Sequence, residues 1–85
     1  MRALPGIHVA QLSAGTGLPI VFGHALGLDH TMWADSAANL AGRHPSLAYD
    51  LRGHGGSAGY AGPASLQVLV DDAARLIDAW GVGPV

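Results

Sequence analysis

The sequence contains no cysteine, no lysine and no glutamate among its 85 residues. The absence of cysteine excludes a disulfide framework, a thiolate nucleophile and any metal site that uses cysteine ligands. Charge is scarce as well, because only 12% of the residues are charged and four arginines stand against six aspartates. Since no basic stripe can form, neither a nucleic acid nor a membrane surface is expected as a partner.

Long apolar runs are also missing from the sequence. We expect no signal peptide and no membrane-spanning segment, because no stretch has the apolar length that either requires. A cytoplasmic location is therefore expected. The chain does have 49% hydrophobic residues, which excludes a disordered polyampholyte and fits part of a packed globular protein.

Three short segments have the composition of β-strands. Apolar residues recur in residues 7–12, which predicts a half-buried strand that could pair with residues 2–4 as a hairpin. Compact apolar runs at residues 19–22 and 46–49 predict buried strands of the parallel type.

Two segments have the period of α-helices. Thr31 is expected to cap a helix that runs from about residue 32 to residue 41. Ser65 is expected to cap a second helix that continues to Trp80 and ends at Gly81. Its polar residues are expected to form a solvated face, namely Gln67, Asp71, Asp72, Arg75 and Asp78. Strands that alternate with helices predict an α/β fold with a parallel sheet.

A glycine-containing segment follows each predicted buried strand. Residues 23–27 read Gly-His-Ala-Leu-Gly, and residues 50–57 read Asp-Leu-Arg-Gly-His-Gly-Gly-Ser. Their spacing resembles the α/β-hydrolase superfamily, in which an H-G-x-x-G loop after strand 3 contributes to the oxyanion hole and D-x-R-G-x-G-x-S follows strand 4. The second segment matches completely, whereas Gly23 and His24 stand in the reverse order. The pattern H-A-L-G-x-D-x-x-M-W begins at His24. This pattern resembles the sequences of one branch of the superfamily, which contains enol-lactonases, esterases and haloperoxidase-like enzymes.

The resemblance implies a fold and a role for the first loop. Residues 1–85 would form the N-terminal part of one α/β-hydrolase domain, with a β-hairpin followed by strand, helix, strand and helix. The backbone N–H of Ala25 would contribute to the oxyanion hole, where a fixed donor is worth about 3 kcal/mol of barrier. His24 and Leu26 would contact the substrate.

The second loop is expected to be structural. Gly53 and Gly55 permit backbone angles that other residues resist, while Asp50 and Arg52 can pair with each other and bind loop amides. The loop residues expected to support the site are Gly27, Asp50, Arg52, Gly53, Gly55 and Ser57.

A literal G-x-S-x-G match at residues 55–59 suggests a nucleophile elbow, which we reject. An elbow needs a strand immediately before the serine and a helix immediately after it, whereas residues 51–54 separate Ser57 from the predicted strand. No histidine follows His54, so the order serine, acid, histidine also fails. The catalytic triad is therefore expected outside these residues, with the next strand beginning near residues 83–85.

The sequence thus predicts part of a hydrolase that acts on a small ester or lactone-like molecule by Ser-His-Asp chemistry, without a cofactor and inactive alone. One alternative is a non-enzymatic binding or receptor-like protein. Another is a dinucleotide-dependent oxidoreductase, for which Gly53-x-Gly55-x-x-Ala58 is a weak fingerprint. A metal site of His24, Asp29 and His30 is not expected, because nothing fixes their spacing.

Overall fold

A computed structural model describes residues 4–25, 27–57 and 65–85 of the chain. The regular elements in chain order are strand β1 (Val9–Ser13), strand β2 (Ile20–Gly23), a 3₁₀ helix (His30–Trp33), helix α1 (Ala34–Ala38), strand β3 (Ser46–Tyr49), a 3₁₀ turn (Gly55–Ser57) and helix α2 (Leu66–Trp80). The predicted α/β fold class is confirmed. Within the described ranges, no helix is both long enough and apolar enough to cross a membrane.

The three strands form one mixed sheet in the order β1-β3-β2. β2 runs parallel to β3, with Ile20 opposite Ser46, and β1 runs antiparallel to β3, with Val9 opposite Tyr49. β3 is therefore central, which explains why all four of its residues are buried. The first strand of the predicted hairpin, residues 2–4, lies mostly outside the described residues.

The core lies between β3 and α2. Five buried hydrophobic residues form one cluster, and none of their side chains is more than 8% exposed: Ile7, Leu47, Tyr49, Leu51 and Leu76. Because Leu51 follows β3 directly, the core holds the beginning of the loop that carries the second sequence motif.

Helix α2 has the bounds that the sequence predicted. The Ser65 side chain accepts a hydrogen bond from the Val68 N–H at 3.2 Å, which caps the first turn. Gly81 has a φ of 71°, and its N–H donates to the Ile77 carbonyl. A residue in this left-handed conformation ends a helix readily when it is glycine.

The N-terminal cap of the first helical segment differs from the prediction. Asp29 is the capping residue, and its Oδ1 accepts the Thr31 N–H at 2.9 Å and the Thr31 hydroxyl. Thr31 therefore lies inside the first turn rather than before it. An aspartate in extended backbone reaches the free N–H groups of this turn as well as a threonine does.

The first helical segment is also shorter than the predicted residues 32–41. It begins as 3₁₀ helix, continues as α1, and changes to turns after Ala38. Asn39 and Gly42 are weak helix formers, and Gly42 has a φ of 80°. Trp33 stacks on Phe22 of β2 with ring centroids 4.9 Å apart, which fixes this segment against the sheet.

Candidate functional site

The two sequence motifs meet at the carboxyl ends of two strands. Because β2 and β3 are parallel neighbours, the loops that follow them leave the sheet at the same end. The Leu51 N–H donates to His24 Nε2 at 2.9 Å, and the Gly27 N–H donates to His54 Nε2 at 3.1 Å. Each loop thus provides one histidine that binds the backbone of the other loop.

The ring nitrogens of these histidines have defined roles. His24 Nδ1 lies 2.7 Å from the Ala25 carbonyl oxygen, and His54 Nδ1 lies 3.1 Å from the Arg52 carbonyl oxygen. Since a carbonyl only accepts hydrogen bonds, each Nδ1 carries the proton and each Nε2 is the acceptor. The two rings are neutral and lie 5.1 Å apart between centroids.

His24 does not have the surroundings expected of a substrate contact. The residue is only 7% exposed, and both of its ring nitrogens bind the protein. The position of Leu26, the other predicted contact, lies outside the described residues. His24 therefore supports the loop from within.

Ala25 is exposed and follows the buried His24. Its carbonyl oxygen accepts the His24 Nδ1 proton and also the Leu28 N–H at 3.1 Å. Within residues 4–25, 27–57 and 65–85, no acceptor is found for the Ala25 N–H. The Ala25 carbonyl is therefore held by two hydrogen bonds.

An open cavity of about 540 Å³ lies between the two loops. Its lining consists of Gly27, Leu28, Asp29, Thr31, Met32, Gly53, His54 and Gly55. The apolar side chains of Leu28 and Met32 are 50% and 45% exposed, and His54 contributes a polar edge. The cavity therefore combines an apolar wall with a few polar groups, as small-molecule sites do.

Asp50 is fully buried at the base of the second loop. Its Oδ1 accepts the His30 N–H at 2.6 Å and is 2.8 Å from His30 Nδ1, while its Oδ2 accepts the Gly56 N–H at 2.8 Å. Burial alone would raise the pKa of this carboxyl, but the hydrogen bonds from His30 and Gly56 outweigh burial and lower it. Asp50 binds a loop amide as predicted, but its predicted pairing with Arg52 is wrong, because Arg52 pairs with Asp72.

Arg52 pairs with Asp72 of α2. Its Nε lies 2.8 Å from Asp72 Oδ2 and its Nη2 lies 2.9 Å from Asp72 Oδ1. The hydrogen bond from Arg52 lowers the pKa of Asp72, burial opposes this effect, and a contact from Arg75 adds to it. The prediction that Asp72 belongs to a solvated face is wrong, because the residue is 2% exposed and faces Arg52.

The glycines of the second loop are required by its geometry. Gly53 and Gly55 have φ values of 80° and 45°, which L-residues with a side chain rarely adopt. A Cβ on Gly55 would also lie 2.7 Å from the Asp50 carboxyl group. Gly27 has a φ of 85° in the first loop, so the turn that opens the cavity also favours glycine.

Ser57 is buried, and its hydroxyl makes two hydrogen bonds to the backbone. Its hydroxyl donates to the Asp50 carbonyl at 2.8 Å and accepts the His8 N–H at 2.8 Å, and the residue is 1% exposed. It connects the second loop to the residue before β1. Ser57 is not among the residues that line the cavity between the loops.

The structure brings together a group of possible metal ligands that the sequence did not suggest. His8, His30 and Asp50 each offer one ligand atom within 4.8 Å of the other two. His24 and Asp29, which were considered together with His30, instead bind the backbone and Thr31. No spacing signal identifies His8, because β1 and the loop after β3 are far apart in sequence.

Known proteins are similar to this chain in sequence and in fold. RutD of Azorhizobium caulinodans, which is named as a carbamate hydrolase, is 37% identical over 68 residues, or 80% of this chain and 26% of that protein. The 3-oxoadipate enol-lactonase 2 of Acinetobacter baylyi is 32% identical over 59 residues, or 69% of this chain and 22% of that protein. The crystal structure of the enol-lactonase from Burkholderia xenovorans LB400 matches 89% of this chain and 30% of that structure, with a TM-score of 0.79 and 33% identity. No protein-family model matches the chain.

These similarities agree with the position of the two loops. The matches indicate an α/β-hydrolase superfamily member. The three strands and the helices correspond to the N-terminal part of the α/β-hydrolase fold. The chain spans about a quarter of the length of the curated relatives it matches, at 26% and 22%. Their names support a hydrolase on this α/β-hydrolase scaffold.

Proposed function

We propose that the chain forms the oxyanion loop and part of the scaffold of an enzyme that hydrolyses a small ester or lactone-like molecule. The observation that carries this proposal is the joining of the two loops beside the cavity. The bonds from Leu51 to His24 and from Gly27 to His54 hold the loops together. The names of the matched hydrolases support the reaction class.

The Ala25 N–H is the proposed oxyanion donor. Attack on an acyl carbon moves negative charge onto the carbonyl oxygen, and a fixed N–H directed at that oxygen lowers the barrier by about 3 kcal/mol. The buried His24 ring fixes the chain before this N–H, and the Leu28 N–H binds the Ala25 carbonyl after it. We assign His24 to this support, and Leu26 remains a predicted substrate contact.

The residues of the second loop are proposed to keep the cavity in shape. Asp50 binds two backbone N–H groups, Ser57 binds the backbone on both sides, and Arg52 anchors the loop to α2. None of these three side chains lines the cavity. Because these side chains are also buried and bound within the protein, their proposed role is to position the loop rather than to take part in the reaction.

The serine, acid and histidine of the reaction are proposed to lie outside these 85 residues. Helix α2 ends at Trp80 and Gly81 terminates it. A helix-to-strand loop of about 2 to 6 residues and a strand of about 5 to 6 residues would place an elbow serine within roughly 10 to 12 residues after Trp80. In this proposal the serine forms an acyl-enzyme that histidine-activated water hydrolyses.

The proposal is tested by two substitutions at Ala25 in the complete hydrolase. Ala25→Pro removes the N–H and should lower kcat on a lactone or nitrophenyl ester by about 100-fold or more. Ala25→Ser keeps the N–H and is the matched control, with a mild effect expected. Circular dichroism checks that both variants fold. Equal kcat values for a folded Pro variant and the wild type would rule out the oxyanion role.

A further inference from the structure

A second group of side chains lies outside the proposed oxyanion loop. His8, next to β1, and His30, in the 3₁₀ helix, have ring centroids 5.0 Å apart and an interplanar angle of 53°. Asp50 completes the group, in which one ligand atom from each residue lies within 4.8 Å of the other two. His8 is exposed and the His30 side chain is 24% exposed, so an ion in solution can reach both imidazoles.

The hydrogen bonds around His30 prepare it for metal binding. The Asp50 carboxylate accepts a hydrogen bond from His30 Nδ1, with Oδ1 and Nδ1 2.8 Å apart. This bond leaves the lone pair on His30 Nε2. A histidine that ligates a metal through one nitrogen usually donates its other N–H to a carboxylate or carbonyl in this way.

We propose that His8 and His30 bind a divalent transition-metal ion through their imidazoles, with Asp50 orienting His30 and water completing the coordination. Imidazole nitrogens suit Cu²⁺, Ni²⁺ and Zn²⁺, whereas Mg²⁺ and Ca²⁺ prefer oxygen ligands. The chain has no cysteine that could compete for a soft metal.

The backbone around His8 holds its ring close to the site. The His8 N–H donates to Ser57 Oγ at 2.8 Å, and a Cβ on Gly56 would lie 2.6 Å from His8 Cγ, so the ring packs directly on that glycine. Two nitrogens that bind one ion at about 2.0 to 2.1 Å each are separated by roughly 4 Å at most. The proposed site therefore requires the exposed His8 side chain to move so that its nitrogen and the His30 nitrogen reach this separation.

A bound ion would join β1 to the 3₁₀ helix. Hydrogen bonds from His30 to Asp50 and from His8 to Ser57 already hold these parts in place, and the ion would add coordination bonds between the two imidazoles. A ligand that binds the folded chain and not the unfolded chain stabilises the fold. The site is separate from the cavity, because neither His8 nor His30 lines it.

Isothermal titration calorimetry of the chain at neutral pH tests the site directly. We expect one equivalent of Cu²⁺ to bind, more tightly than Ni²⁺ or Zn²⁺, and no heat from Mg²⁺. His8→Ala and His30→Ala should each abolish the saturable binding. His44→Ala is the matched control, because His44 binds the Leu18 carbonyl and is not part of the group, and it should bind as the wild type does.

Two spectroscopic measurements separate this site from nonspecific binding to histidines. Electron paramagnetic resonance of the Cu²⁺ complex should show coordination by two imidazole nitrogens, and NMR broadening by substoichiometric Cu²⁺ should centre on His8, His30 and Gly56. Asp50→Asn should weaken binding by about 10- to 100-fold while the two-nitrogen signature persists. Broadening spread over all five histidines, or wild-type binding in His8→Ala or His30→Ala, would overturn the proposal. Unchanged affinity in Asp50→Asn would contradict the orienting role.

Discussion

Arg52 and Asp72 form a two-point ion pair that attaches the loop after β3 to the middle of α2. The two N···O distances are 2.8 and 2.9 Å, and the side chains are 8% and 2% exposed. A guanidinium fork on a carboxylate fixes both distance and direction. The orientation of the helix therefore determines where the loop beside the cavity lies.

Removal of the carboxylate should break the buried ion pair that Arg52 makes with Asp72. We expect Asp72→Asn to lower the free energy of unfolding by about 3 to 5 kcal/mol, the usual cost of breaking a buried pair from one side. Urea denaturation followed by circular dichroism measures this loss. Asp71→Asn is the control, because Asp71 is exposed and accepts a hydrogen bond from the Gln67 side chain, and it should change the stability by less than about 0.5 kcal/mol. Equal losses in the two variants would contradict the prediction.

The same pair predicts a loss of stability in acid. The pKa of Asp72 is lower in the folded chain than in the unfolded chain, first because of the hydrogen bond from Arg52. The pair therefore stabilises the fold fully above about pH 4, and this contribution is lost as the pH falls through the folded pKa. The difference in unfolding free energy between wild type and Asp72→Asn should shrink over that range. A difference that stays constant down to the acid transition would refute this assignment.

Ser57 should matter for stability and not for ester hydrolysis. Ser57→Ala leaves the His8 N–H and the Asp50 carbonyl without their partner, which should cost about 1 to 3 kcal/mol. We expect no hydrolysis of a nitrophenyl ester by the chain for which the Ser57 hydroxyl is required. Turnover that disappears in Ser57→Ala would show that residues 55–59 are a nucleophile elbow after all.

Two glycines of the second loop should differ in their tolerance of alanine. Both have positive φ, so alanine at either position should cost about 1 to 2 kcal/mol from backbone strain. A Cβ on Gly53 meets nothing within 4 Å among the described residues, whereas one on Gly55 would lie 2.7 Å from the Asp50 carboxyl. Gly55→Ala should therefore destabilise the fold more than Gly53→Ala in urea denaturation. The reverse order would mean that the contact with Asp50 is not the limiting one.

Strand β2 should be the site at which copies of the chain associate. It forms one edge of the three-stranded sheet in the described residues, with apolar residues Ile20, Val21 and Phe22. An open apolar edge invites pairing with another chain. We expect light scattering to show concentration-dependent association, with added hydrogen-exchange protection in β2.

The exposed apolar face of α2 provides the control for this prediction. Leu66 and Val70 are 78% and 52% exposed, so they form the competing surface for association. The double variant Leu66→Ser, Val70→Ser should associate as the wild type does. A variant that stays monomeric at the same concentrations would place the association on α2 instead.

Local signals in the sequence predicted some elements closely. The bounds of α2 followed from Ser65 and Gly81, because capping depends on residues within one turn of the helix end. The β3 strand was predicted at its observed bounds because a central strand must be apolar on both faces. The predicted start of the first helical segment was wrong because its cap was ambiguous, since Asp29 and Thr31 are both good capping residues.

Contacts between distant residues could not be predicted in the same way. Nothing near Arg52 indicates that its partner is Asp72, because the pairing depends on how α2 packs against the sheet. The meeting of His8 with Asp50 likewise depends on the antiparallel pairing of β1 with β3. The sequence motif located the two loops, and tertiary packing decided which side chains meet between them.

The junction between the two loops carries no net charge. His24 and His54 each accept an N–H and donate to a carbonyl, so each ring substitutes for a peptide group in joining two stretches of backbone. Arginine or lysine could not take either place, because their side chains only donate. Dissolved salt weakens attraction between exposed charges and has little effect on such neutral bridges. The spacing of the loops beside the cavity should therefore be the same at low and at high salt concentration.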